Sequence, residues 1–120
     1  MLVIRHAQWK ALGNAARQEF IAALSQHAGE HFPAALSTMS PDEVEELCEE
    51  AIERSATFGV TGQREVCLWL NLMLTFGRDF ESQPWASALL RDPAQPGPRV
   101  LMSRLYRLAQ SQLAAKAGGA

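Results

Sequence analysis

No segment of this 120-residue chain alternates apolar and polar residues strictly enough to make a half-buried strand, which leaves helices as the expected building material. Cysteine is scarce. Cys48 and Cys67 are the only two, neither has a partner at metal-binding spacing, and both fall in apolar stripes. A disulfide scaffold is thereby excluded, and the pair reads as reduced core thiols of a cytosolic protein. Net charge is nearly absent too: 11 Lys and Arg against 13 Asp and Glu leave −2, which gives no long-range pull toward nucleic acid or an anionic membrane. Long apolar runs are also lacking. The one candidate, 66–76, contains Asn71 and is too short to cross a bilayer. Met1-Leu2-Val3-Ile4 gives way at once to Arg5 and His6, so no secretory leader is expected and the chain should stay in the cytoplasm.

What remains is an ordinary globular balance, 48% hydrophobic and 20% charged, in a length that suits one domain. Trp9, Leu12, Ala16, Phe20, Leu24 and Ala28 recur at steps of three or four, which predicts a first helix over 6–31, weakened near Gly13 and Asn14 and ended by Phe32-Pro33. A short link, 34–39, should follow. Ser40-Pro41-Asp42-Glu43 is a capping box with proline in the first turn, opening a second helix that Gly59 closes. Val44, Leu47, Cys48, Ala51 and Ile52 form its inner stripe.

Thr61, read as a cap, starts a third helix over about 62–76 that is apolar on nearly every side and stops at Gly77, so the others should wrap around it. A loop with an exposed-looking Phe80 leads to a short helix from Pro84, with Ala88 and Leu89 turned inward. A proline-rich crossover over 92–98 precedes a last helix over about 99–116. The expected class is all-α: a single compact five-helix bundle spanning 1–120, centred on 62–76, with 1–5 and 117–120 frayed.

Charge is segregated. Asp42, Glu43, Glu45, Glu46, Glu49, Glu50 and Glu53 face the single base Arg54, whereas Arg91, Arg99, Arg104, Arg107 and Lys116 face Asp92 alone. Either these are two solvated faces, or they steer a partner. The carboxylates Glu45, Glu46, Glu49 and Glu50 are the acidic candidates. Trp9, Phe58, Phe80 and Trp85 lie near helix ends or loops; they either plug the bundle or anchor a protein interface.

Chemical motifs are few. His27-Ala28-Gly29-Glu30-His31 matches H-x-x-E-H, which in inverted zinc peptidases sets two imidazoles one turn apart with a glutamate base. Gly29 inside the motif and Pro33 just beyond it argue instead for a polar last turn. Gly59-Val60-Thr61-Gly62 lacks the spacing and lysine of a phosphate loop. The hairpin into the third helix has helix-turn-helix spacing, yet it offers Leu68, Trp69, Leu70 and Leu72 where a groove reader needs polar side chains. Catalysis, cofactor, metal and nucleic acid are therefore not expected.

Three stretches carry a resemblance: the opening helix ending in His31-Phe32-Pro33; the unit 47–76 with Phe58-Gly59-Val60-Thr61-Gly62-Gln63-Arg64-Glu65-Val66; and 74–90, reading LTFGRDFES and PWASALL around Gln83. Over residues 5–92 the pattern resembles small bacterial proteins encoded in type VI secretion effector clusters, beside PAAR spike-tip proteins and effector adaptor/chaperones. The resemblance implies a cytoplasmic, non-enzymatic co-adaptor or co-chaperone whose partner is the effector adaptor or the effector. The positions that match best are Gly59, Val60, Thr61, Arg64, Val66, Gly77, Asp79, Phe80, Pro84 and Trp85. The alternative is an immunity protein that blocks a neighbouring toxin with its acidic helix face.

Overall fold

Local chemistry sets most of the helix ends. The computed structural model describes residues 14–94 and 97–118, with side-chain surroundings for 15–94 and 97–115. The start of the first expected helix, with His6 and Trp9, therefore lies outside the described residues, as do the chain ends 1–5 and 119–120.

Six α-helices and one 3₁₀ turn, and no strand, occur among the described residues: α1 (Asn14–His31), α2 (Pro33–Leu36), α3 (Pro41–Thr57), α4 (Gln63–Phe76), the 3₁₀ turn (Phe80–Ser82), α5 (Pro84–Leu90) and α6 (Pro98–Gly118). The fold class is all-α, as expected. α2 is the addition: the link after Phe32 coils into a single turn because Pro33 sits in its first turn with a preset φ.

The capping box of α3 forms in both directions. Ser40 Oγ accepts from the Glu43 backbone N–H at 3.2 Å, and the Ser40 N–H donates to Glu43 Oε1 at 3.1 Å. These bonds hold the Glu43 carboxyl below its ordinary range. At the other end Gly59, φ +78°, lets Val60 N–H reach Ser55 O (2.9 Å) and Gly59 N–H reach Ala56 O (3.0 Å), a Schellman closure that buries Val60. Thr61 does not cap α4. The residue in the N-cap position is Gly62, with no side-chain cap bond, and Thr61 sits one residue outside.

α4 packs against α1, α3, the 3₁₀ turn and α6, which makes it the hub of the core. Val66, Trp69, Leu70, Leu72 and Met73 are buried on it, and Cys67, Leu68, Leu74 and Phe76 are partly so. α1 contributes Phe20, Ile21, Leu24 and Ala28; α3 contributes Leu47, Cys48, Ala51 and Ile52; α6 contributes Leu101, Met102, Leu105 and Ala109. Gly77, at φ +104°, stops α4 and turns the chain into the 3₁₀ segment. In α5 the buried face is Ala86 and Leu90, with Leu89 half-buried; Ala88, expected inside, is exposed. The pair Ala86 and Leu90 is one α-helical turn apart, so α5 is rotated about its axis from the expected phase.

Candidate functional site

The aromatic candidates divide by burial. Phe80, expected to be exposed, is buried: its ring meets Trp69 edge-on at 4.8 Å between centroids. The 3₁₀ turn folds it under α4, so it is a core residue and not a contact surface. Phe58 stacks on Trp69 at 5.6 Å between centroids and is half-buried. Trp85 is half-buried beside Phe76, at 5.0 Å, and its indole N–H donates to Gln83 Oε1 at 2.8 Å. Of the four, Phe58 and Trp85 keep an accessible edge, and Trp9 is outside the described residues.

The acidic candidates also divide. Asp42, Glu45, Glu46 and Glu49 line one shallow depression of about 300 Å³ on α3. Of these, Glu49 alone has an ion pair among the described residues, a loose one with Arg17 at 3.7 Å. Glu50 belongs elsewhere. It takes Arg54 at 2.9 Å and Arg78 at 3.2 Å. Arg54 also donates to Asp79 Oδ1 (2.7 Å), Glu81 Oε1 (2.9 Å) and the Arg78 carbonyl (2.5 Å). The bond to Asp79 leads in pushing the Arg54 guanidinium above its ordinary range, so its charge is permanent. This cluster clamps the 78–82 segment to the end of α3. The expected fully wet acidic face is therefore only partly so.

The rings of His27 and His31 meet at a 45° tilt with centroids 4.5 Å apart. His27 Nε2–H donates to Asn71 Oδ1 at 2.8 Å, and Glu30 accepts from Gln26 at 3.0 Å, so the H-x-x-E-H residues serve as helix-to-helix and in-helix links. Among the described residues no three His, Cys, Asp or Glu side chains gather where a metal ion would sit. Burial pushes the thiols of Cys48 and Cys67 up, away from nucleophilic thiolate. No helix among the described residues is long and apolar enough to cross a membrane.

One concavity was not foreseen. A groove of about 640 Å³ runs between α4 and α6. Its floor is Leu68, Val100, Met102 and Tyr106, and its rim carries Arg64, Arg99 and Arg107. Tyr106 O–H donates to Leu68 O at 3.3 Å, tying the two helices across the floor, and burial raises its pKa. Val100 is 45% exposed, one of two large exposed apolar residues among those described; the other is Leu113, on the same helix. The three arginines have no ion pair among the described residues. A sequence signal for the groove exists: Arg99, Ser103, Tyr106 and Gln110 recur at helical steps on one face of α6.

No family model, curated protein or solved structure matches the chain, so the functional reading rests on this geometry and on the sequence pattern.

Proposed function

We propose that the chain is a non-enzymatic protein-binding module, an accessory adaptor or co-chaperone that serves a type VI effector complex in the bacterial cytoplasm. The observation that supports this reading is the apolar-floored, arginine-rimmed groove between α4 and α6. It pairs exposed Val100 and the half-buried Leu68 and Tyr106 with three arginines that have no ion pair among the described residues, the combination that recognises another protein's surface. The resemblance over residues 5–92 supplies the class of partner, an effector adaptor or the effector itself. The mechanism is burial: an apolar patch on the partner is taken out of water until handover, across an interface of about 1,200–2,000 Å². Co-expression with an effector adaptor of the kind the resemblance implies should give one complex on gel filtration. Two separate peaks at micromolar concentration would remove the reading.

The acidic depression on α3 favours a second reading, an immunity protein whose carboxylates cover a toxin's basic active site. The discriminating variant reverses Glu45, Glu46 and Glu49 and spares Glu50, because Glu50 holds Arg54 and Arg78. Lost protection against the neighbouring toxin would favour immunity; unchanged survival of cells expressing the toxin would dismiss it.

A further inference from the structure

We propose that the groove between α4 and α6 is the docking site for an acidic amphipathic helix of a partner protein, an inference that rests on the protein-binding reading above. A second, smaller depression of about 430 Å³ shares Arg64, Glu65, Arg99 and Val100 with the first and reaches Gly97 and Pro98, so the two form one trough. From Arg99 to Gln110 it follows α6 for about 16 Å, three helical turns at 1.5 Å per residue.

The occupant must answer two features at once. Leu68, Val100 and Tyr106 call for apolar side chains at helical spacing. Arg64, Arg99 and Arg107 call for carboxylates, against Glu65 as the one acid in the lining, and the N-terminal end of α6 adds positive potential at the same place. A helix with a leucine-type stripe flanked by glutamates meets both demands.

A second copy of this chain does not. Two-fold pairing through Val100 would set the three arginines of each copy against those of the other. Head-to-tail pairing would bring up the α3 face, whose lining of Asp42, Glu45, Glu46 and Glu49 has no apolar side chain for the floor. Nucleic acid would satisfy the rim alone and leave Val100 and Leu68 unmatched.

The test is fluorescence anisotropy on the full chain with three labelled peptides of about four helical turns. One has Leu on one face and Glu on the other; the second is its scramble; the third has Lys in place of Glu. The amphipathic acidic peptide should bind at least about tenfold tighter than either control and weaken as salt rises. Arg99→Glu with Arg107→Glu should cut its affinity about tenfold or more. Val100→Asp should do the same; it falls in the first turn of α6, where an acid favours the helix, so its loss of binding is not loss of fold. Glu46→Lys on α3 should change nothing. Equal binding of the scramble, indifference to both groove variants, or tighter binding of a labelled second copy or of single-stranded DNA overturns the proposal. If the arginine reversals leave an adaptor complex intact, this site is wrong while the function stands; if the peptide binds and no adaptor complex forms, the site stands and the function falls.

Discussion

Phe80 is the residue on which a surface reading and a core reading part most sharply. Its ring is buried against Trp69, so Phe80→Ala removes most of a buried aromatic and leaves a cavity, at a cost of about 3–5 kcal/mol in urea unfolding. An interface residue would leave stability almost unchanged. Arg54 is the polar counterpart. It anchors Asp79, Glu81 and the Arg78 carbonyl, and one oxygen of Glu81 is already buried without a partner. Arg54→Ala should cost about 1–3 kcal/mol, since Asp79 is largely solvated but Glu81 and Glu50 are mostly covered and would lose their cation, and amide exchange over 79–83 should speed up. Exchange rates there that match the parent would show the clamp to be ornamental. For Phe80 the plugging of the bundle was one of two open readings, whereas the Arg54 contacts were not legible beforehand, because its partners lie 24, 25 and 27 residues away and only the tertiary fold brings them together.

At the scale of the element, what was legible was whatever a few adjacent residues decide. Ser40 to Glu43, Gly59, Gly77 and Pro84 each announce a helix end through a side-chain cap, a positive φ or a fixed one. The phase of seven-residue α5 was not legible, since so short a helix shows too few turns for a stripe to emerge. Ser40→Ala should lower stability by about 1 kcal/mol by freeing an N-terminal N–H of α3. The paired carboxyl gives a pH test. Because Glu43 has a lowered pKa when folded, its stabilisation is complete above the unfolded-state carboxyl value and fades as pH falls through the folded one. The stability gap between parent and Glu43→Ala should accordingly be widest at neutral pH and close in acid; a gap independent of pH would refute the bond. Among the glycines, Gly77→Ala should cost about 1–3 kcal/mol, because its backbone lies where essentially only glycine goes. Gly59→Ala should cost less, about 1 kcal/mol, as its left-handed φ is one that side chains occasionally adopt and nothing lies within 4 Å of a new Cβ.

For the molecule as a whole, the buried residues of α1, α3, α4, the 3₁₀ turn, α5 and α6 form one contiguous cluster. A single core should melt as a unit. Cys48 is buried in that cluster, and its thiol is doubly protected by exclusion and by a raised pKa. Its labelling by a thiol reagent should therefore track global unfolding in urea, coincident with the loss of helical circular dichroism. Labelling well before the helices melt would reveal that α1 or α3 detaches separately. The all-α class and the central place of α4 could be read from periodicity alone. The groove between α4 and α6 was legible only on its α6 side, in the recurrence of Arg99, Ser103, Tyr106 and Gln110, since which face of α4 lies beside them is set by the tertiary fold.

The burial of Trp69 against Phe58 and Phe80 makes the molecule its own optical gauge. An indole walled off from water emits toward the blue and, held against two rings, lends a sharp near-ultraviolet signature, whereas half-buried Trp85 should emit further to the red. With Trp9 and Trp85 replaced by Phe, a shift in the remaining Trp69 band reports loosening around α4, and no dye has to be attached to see it.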